Sequence, residues 1–214
     1  MSNIIGLEVR CEPSPNVVNG KVRSQPPRRL KSTKARKHLE PAEVGALMKA
    51  ARQSGRYHLR DEVAVMLTYR HGLRVSELVS LKWSQIDLTG ATMYVQRLKA
   101  GQPTQHPLRR VELVLLGKLR RQQPDAAYVL MSERGTPWTT SNFRKVLQRL
   151  ATVAKLAPDV PVNPHALRHA CGFKLAASGV DTRGLSHYLG HRSLQSTELY
   201  TAQSAARFKD FFRD

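Results

Sequence analysis

The stretch NPHALRHACGF, residues 163–173, decides the fold, because it begins a helix that carries chemically useful side chains. An Asn-Pro pair is a strong helix start, and Gly179 is the predicted stop. On this helix His165 and Arg168 are three residues apart and share a face, with His169 one turn after His165. An arginine beside a histidine at a helix N-terminus is a suitable cradle for an oxyanion. A basic face in contact with solvent would have the same pattern.

Apolar residues recur with the helical period in six further segments, each of which predicts an α-helix. These segments begin at Glu40, cover 59–67, 75–81 and 111–119, begin with a cap at Ser141 or Asn142, and run from Asp181 to Gly190.

β-Structure is predicted in only two places. The alternating, β-branched residues 92–98 (TMYVQRL) form one strand, and the loop AGQPTQ followed by HPL indicates a hairpin. Residues 128–131 are expected to form a short strand. The fold class is therefore mainly α with a small antiparallel β-sheet (α+β).

Composition and charge limit the classes of function that the chain can have. The chain has 214 residues, of which 41% are hydrophobic, enough for one domain with a sizeable core plus a tail. Its net charge of +19 indicates a polyanionic partner. We expect no membrane association, because the longest apolar runs are far below 18 residues and the N-terminus lacks the apolar region of a secretory signal. Cys11 and Cys171 are far apart in sequence, which argues against a disulfide framework.

Residues 1–38 differ from the rest of the chain. Four prolines interrupt any regular period, and basic residues dominate from Lys21 onwards. Such composition is typical of a flexible arm, which can lie along phosphates and release counterions from them. The expected organisation is a basic arm over residues 1–38 and a folded domain over residues 39–214.

Other segments offer further candidate site residues, although each is weak alone. In HGLRVSEL, residues 71–78, Arg74 begins a helix, and Glu77 could form an ordinary surface pair with it. Lys99 lies at the predicted hairpin tip, where a lysine can serve as a proton donor or remain solvated. In YLGHRSLQSTELYT, residues 188–201, Tyr200 follows His191 by nine residues. A phenol becomes a useful nucleophile where a base and several cations favour its anion.

Histidines four residues apart occur twice, at His165/His169 and at His187/His191. Two such pairs could ligate zinc in principle. However, no nearby acidic residue completes a metalloprotease pattern, and neither cysteine has a partner at CxxC spacing. We therefore expect no metal, and the absence of a phosphate-loop motif predicts no nucleotide cofactor.

Taken together and in this order, the motifs resemble those of the tyrosine recombinase (phage integrase) family. HGLRVSEL is similar to its first arginine motif, RLKAG to its hairpin lysine, HALRH to its His-x-x-Arg motif and LGHRSLQSTELYT to its final motif. The resemblance covers roughly residues 39–212. The stretches RLKAGQPTQHPL and YTAQSAARF also resemble the short fimbrial phase-variation invertases, which are little more than a catalytic domain. This resemblance implies a catalytic domain without a separate core-binding domain, which would capture DNA with help from the arm.

The resemblance implies a role for each candidate residue. Tyr200 would attack the scissile phosphate to form a 3′-phosphotyrosyl link, while Arg74 and Arg168 would hold its non-bridging oxygens. His165 would accept the tyrosine proton, and His191 would donate to the phosphate. Lys99 would protonate the leaving 5′-oxygen, and Glu77 would play a supporting part.

The implied function is site-specific recombination of double-stranded DNA, by inversion or by integration and excision of a mobile element. The alternatives are a non-catalytic DNA-binding regulator derived from a recombinase and a metal-dependent nuclease that uses the histidine pairs. The resemblance further implies a tetramer on DNA, with a monomer when free, and leaves room for accessory DNA-bending proteins. The apolar-faced residues 204–212 could dock on a neighbouring subunit or pack on their own domain. A bacterial, cytoplasmic, nucleoid-associated protein is expected.

Overall fold

The structure is a computed structural model that describes residues 36–97 and 103–202. Helices dominate this part of the chain, and the sequence-based fold class is confirmed. The α-helices of the described residues are α1 (Pro41–Gln53), α2 (His58–His71), α3 (Val75–Val79), α4 (Arg110–Gln122), α5 (Thr140–Val153), α6 (Pro164–Ala177), α7 (Thr182–Leu189) and α8 (Gln195–Thr201). A short 3-10 turn, Trp83–Gln85, follows α3.

The sheet is antiparallel, with the strand order β1 (Ile86–Asp87), β2 (Thr92–Val95) and β3 (Thr104–Pro107). Strands β2 and β3 pair as predicted, with Val95 opposite Thr104. The first strand was not anticipated, because two residues are too few to show an alternating pattern. The strand predicted over residues 128–131 is wrong: Tyr128 and Met131 form only isolated bridges, to Lys82 and Pro137.

Two helices differ in detail from the sequence-based expectation. Thr139, rather than Ser141 or Asn142, caps α5, and its hydroxyl accepts a hydrogen bond from the backbone N–H of Asn142. Asn142 is instead the third helical residue, and its Oδ1 accepts a hydrogen bond from the backbone N–H of Thr139. In α4 the buried face carries Leu116 and Leu119, whereas Val111 of the predicted stripe is exposed.

Helix α2 lies at the centre of the fold and packs against α1, α4 and α6. Its residues Val63–Leu67 are almost fully inaccessible to solvent and form the middle of the main hydrophobic core. A second cluster joins the C-terminal helices, with Leu185 and Leu189 from α7 and Tyr200 from α8 packed on α6. This arrangement brings the ends of α2, α6 and α7 together, and the candidate site lies there. Among the described residues, no helix has the length and hydropathy needed to cross a bilayer.

Candidate active site

The first arginine is positioned by a turn between α2 and α3. Gly72 ends α2 in the left-handed region with φ 56°, a conformation that suits glycine, and Arg74 then precedes the first residue of α3. The Arg74 guanidinium donates to Glu77 Oε1 at 2.7 Å and to the carbonyl oxygen of Gly190 at 3.0 Å. About a third of the side chain is exposed, so it remains open to an incoming anion.

The second arginine, Arg168 on α6, is almost completely buried. Its Nη1 donates to the carbonyl oxygen of Gly72, and its Nη2 donates to that of Leu189 at 2.7 Å. Burial and the nearby Arg74 charge lower the pKa of Arg168 to about 10, so that the guanidinium still carries its charge at neutral pH. Two backbone carbonyls therefore fix this cation beside Arg74.

Glu77 links the two arginines, and the expectation of an ordinary surface pair with Arg74 is wrong. The residue is 4% exposed, and its Oε2 accepts from the backbone N–H of Arg74 at 2.9 Å. The same oxygen lies 4.0 Å from Nη1 of Arg168. Because the carboxylate is almost completely shielded from water, its interactions with these cations are only weakly screened.

Tyr200 lies on α8, packed against α6 with its ring in an edge-to-face contact with Phe173. It is 2% exposed, and its hydroxyl lies 2.8 Å from Nδ1 of His169. Burial raises the pKa of Tyr200 to about 12, although the Arg168 charge acts in the opposite direction. The phenol is therefore protonated, and it shares a hydrogen bond with a neutral His169, whose pKa burial and His165 lower to about 4.

His165 and His191 approach the site from different parts of the fold. His165 is exposed on the first turn of α6, and its ring meets that of His169 edge-on, with centroids 4.2 Å apart. His191 follows α7, and its Nδ1 lies 2.8 Å from the hydroxyl of Thr197. Burial and the arginine charges lower the pKa of His191 to about 4, so its ring is neutral at pH 7. The structure thus places His169, rather than His165, against the tyrosine hydroxyl.

A cavity of about 500 Å³ opens beside the two site arginines and His165. Its basic lining residues are Arg74, Arg144, His165 and Arg168. Cations from the residue before α3, from α5 and from α6 therefore converge on one space large enough for a phosphate group. Guanidinium groups are well suited to such a ligand, since their N–H donors form a fork that matches phosphate oxygens.

Some predicted site residues lie outside the described residues, and others were missed. Lys99, the tip of the hairpin and residues 204–212 are not described, nor is the arm up to residue 35. Arg97, His71 and His106 were not anticipated, yet all three are buried near the site. A period of two was the available signal for Arg97, because it continues the buried face of Met93 and Val95.

The histidine pairs do not assemble a metal site in the part of the chain that the structure describes. No group of three or more His, Cys, Asp or Glu side chains there is close enough together to hold an ion. His187 is exposed on α7, whereas His191 turns toward Tyr200, with ring centroids 6.2 Å apart. His187 and His191 therefore lie in different environments.

Comparison with known sequences identifies relatives over most of the chain. The sequence profile of the phage integrase family matches residues 37–207. The chain is 38% identical over 180 residues to the type 1 fimbriae regulatory protein FimB of Escherichia coli strain K12, an alignment that covers 82% of this chain and 88% of FimB. It is 35% identical over 179 residues to FimE of the same strain, covering 81% of this chain and 89% of FimE.

A solved structure has the same fold. The crystal structure of XerA recombinase matches 78% of this chain with a TM-score of 0.68 and 26% sequence identity. The match covers 61% of the XerA chain, so this chain spans less than two thirds of that recombinase. Both the overall sequence similarity and the shared fold thus agree with the family resemblance of the sequence motifs.

Proposed function

The chain belongs to the phage integrase family, and from this premise we propose that it cuts and rejoins DNA as a site-specific tyrosine recombinase. One observation carries the proposal: Arg74 and Arg168, 94 positions apart in the chain by their numbers, meet around the Glu77 carboxylate at the end of the helix that packs on Tyr200. Two fixed guanidinium groups next to a phenol are what a phosphoryl-transfer site requires.

In the proposed reaction the Tyr200 oxygen attacks the scissile phosphorus, and the bond from phosphorus to the 5′-oxygen breaks. The negative charge that builds up on the non-bridging oxygens is stabilised by Arg74 and Arg168. The DNA 3′-phosphate is then linked to the tyrosine, and the leaving 5′-oxygen takes a proton from Lys99. Attack by a 5′-hydroxyl of another strand reverses these steps and releases the phenol.

The phenol must give up its proton as the bond to phosphorus forms. We propose His165 as the acceptor, supported by its place at the cavity beside Arg168. We propose His191 as a hydrogen-bond donor to the phosphate, which requires its Nε2 to carry the hydrogen while Nδ1 accepts from the Thr197 hydroxyl. Since Tyr200 is buried, its ring must leave this position before a duplex can reach it.

The proposed partner is double-stranded DNA, which agrees with the net charge of +19. We propose that residues 1–38 act as a basic arm that assists the catalytic domain of residues 39–214 in binding DNA. We also propose assembly of four copies on two paired sites. DNA inversion is the favoured outcome, because the sequence motifs resemble those of the fimbrial phase-variation invertases and the chain is 38% and 35% identical to FimB and FimE. Sedimentation of the protein with and without its DNA site would measure the assembly.

The proposed function can be tested even though the target sequence is not known. The protein is incubated with a library of nicked duplexes whose sequence is randomised around the nick, so that the short cleaved strand diffuses away and traps the adduct. We expect covalent adducts that survive denaturation and whose DNA converges on one sequence. Tyr200→Phe should bind DNA without forming adducts, because it lacks only the nucleophilic oxygen.

An adduct formed by Tyr200→Phe would refute the assignment of the nucleophile. Specific DNA binding by the wild type with no adduct would instead favour the non-catalytic regulator.

A further inference from the structure

Arg97 follows strand β2 and is the most deeply buried guanidinium near the site. Its side chain is fully inaccessible to solvent. Nη1 donates to Glu77 Oε2 at 2.8 Å, and Nη2 donates to the backbone carbonyl of Tyr188. The residue therefore connects the sheet to α3, which carries Glu77, and to α7, which leads into His191.

Burying a guanidinium costs free energy, so we expect Arg97 to have a role in the fold or in the reaction that offsets this cost. Removing a guanidinium from water disfavours its charge, and burial accordingly lowers the pKa of Arg97 despite the ion pair with Glu77. Its Nε is buried without a hydrogen-bond partner in the structure. A merely stabilising residue would be expected to use all of its donors, since an unsatisfied buried donor costs about 1–3 kcal/mol.

The contacts of Arg97 are directed at the groups that hold the two site arginines. A Cβ at Gly190 would lie 2.6 Å from the Arg97 Nε, so the guanidinium packs directly beneath the glycine whose carbonyl accepts from Arg74. Gly190 has φ 64°, and this left-handed turn leads the chain to His191. Arg97 thus supports a turn that fixes Arg74 on one side and His191 on the other.

The two oxygens of the Glu77 carboxylate pair with different guanidinium groups. Oε1 pairs with Arg74, whereas Oε2 pairs with Arg97. The next cation in reach of Oε2 is Arg168, whose Nη1 is 4.0 Å away. If Arg97 were absent, Oε2 would lack its guanidinium partner, and Arg168 would be drawn toward it and away from its bonds to the two backbone carbonyls.

A buried row of side chains supports Arg97 from the sheet side. Nε2 of His106 lies 3.4 Å from Nη2 of Arg97, and Nδ1 of His106 lies 3.2 Å from Nδ1 of His71. His71 in turn contacts Glu112 of α4 at 2.8 Å. Because burial lowers the pKa of His106 to about 3, this ring is neutral and adds no charge that would repel the guanidinium.

We propose that Arg97 is a positioning residue of the active site: it holds the Glu77 carboxylate and the Gly190 turn so that Arg74 and Arg168 face the scissile phosphate. The inference rests on the proposed function, in that it concerns the same site. Arg97 itself does not contact the substrate, because it is inaccessible to solvent.

The test compares Arg97→Met and Arg97→Lys with Arg121→Met, which removes the same charge from an exposed position on α4. Adduct formation is measured at saturating protein on the nicked duplex enriched by the wild type. We expect Arg97→Met to lose about 100-fold in rate, as a displacement of site groups by about 1 Å can do. Arg97→Lys should also be slow, because an ammonium cannot bridge Glu77 and the Tyr188 carbonyl as a planar fork does. Arg121→Met should react as the wild type does.

A methylphosphonate at the scissile position separates positioning from a general structural defect. It replaces a charged oxygen with a methyl group and so removes the charge that the two arginines stabilise. The rates of wild type and Arg97→Met should become nearly equal on this substrate. A deficit of the same size on both substrates, or full activity of either Arg97 variant on the phosphodiester, would overturn the proposal.

A second measurement does not depend on DNA cleavage. Binding of inorganic phosphate is followed by phosphorus NMR, and both Arg97 variants should bind about 10-fold more weakly than Arg121→Met, as the loss of one hydrogen bond to a charged group can cause. Equal affinities would refute the positioning role. If the wild type binds phosphate and forms no adduct, the proposed function fails while this measurement still decides the role of Arg97. Thermal unfolding of each variant verifies that it folds, and Arg97→Lys keeps the test open if Arg97→Met does not.

Discussion

Adding one methyl group at Gly172 on α6 should show whether the buried position of the Tyr200 ring is unreactive. A Cβ there would lie 2.7 Å from Cε1 and 2.8 Å from Cζ of the Tyr200 ring. Carbon atoms in contact are about 3.5–4.0 Å apart, so the substitution Gly172→Ala overlaps the ring by roughly 1 Å. Tyr200 must move, because Gly172 is in the interior of a helix that is held on its other side by the core.

Two opposing effects determine the size of the change in stability. Overpacking of a core costs about 1–3 kcal/mol, whereas alanine gains about 1 kcal/mol over glycine in a helix. The free energy of unfolding should therefore fall by about 1 kcal/mol. The steric overlap, however, destabilises only the buried position of the ring. Relative to a state in which the ring has left, the buried position is therefore destabilised by the full overlap energy. A loss of about 1.4 kcal/mol raises the population of the displaced ring about tenfold.

We therefore expect Gly172→Ala to form the covalent adduct about tenfold faster than the wild type at the same occupancy of DNA. The assay is single-turnover trapping on the nicked duplex, combined with thermal unfolding. Gly45→Ala is the matched control: a Cβ at this position in α1 has no neighbour within 4 Å, so it should stabilise the protein slightly and leave the rate unchanged. Slower adduct formation with normal DNA binding would show that the buried ring is already in its reactive position, and the reasoning would be refuted.

Three further outcomes are expected. Arg168→Lys should lose most cleavage activity while it still binds DNA, because an ammonium cannot hold two oxygens at once; turnover near that of the wild type would contradict its assigned role. DNA affinity should fall steeply between about 50 and 200 mM salt, and a flat dependence would show that phosphate contacts contribute little. Burial lowers the pKa of His106 to about 3, and burial with the neighbouring cationic groups lowers those of His169 and His191 to about 4. Since the unfolded chain then binds more protons, the free energy of unfolding should fall as the pH drops from about 6.5 to 4, by up to about 1.4 kcal/mol per pH unit for each histidine. Thermal unfolding across this range measures the slope, which His106→Gln should reduce and the exposed His58→Gln should not.

The helices were predictable because their signals are local. The Asn-Pro start of α6 and the aspartate that begins α7 carry capping chemistry in the side chains themselves, and both helices begin where expected. Tertiary contacts decided the rest. Residues 128–131 have strand-like composition, yet their neighbours pair with them at single positions, so no strand forms. The packing of α4 against α2 likewise buries Leu119 of the predicted apolar stripe but leaves Val111 exposed.

The candidate site was predictable as a set of residue types, but its internal contacts were not. Motif order singled out Arg74, Arg168 and Tyr200, which packing then brings to neighbouring helix ends. The burial of Glu77 was hidden, because an acidic residue three positions after an arginine has the same pattern on a surface as in a core. Likewise, the spacing of His165 and His169 did not reveal which ring meets the phenol, since that depends on how α8 packs across α6.

The charges around Glu77 explain why the described site is suited to an anion. Three guanidinium groups, those of Arg74, Arg97 and Arg168, surround one carboxylate, so positive charge is in excess. That excess is part of the reason that His165 and His191 have lowered pKa values and stay neutral. A phosphodiester would supply the missing negative charge, and the electrostatic cost of keeping these cations together would then become a favourable interaction that grows as charge accumulates in the transition state. The resting protein thus holds a protonated phenol and uncompensated cations a short distance apart, and the substrate is the component that makes both of them reactive.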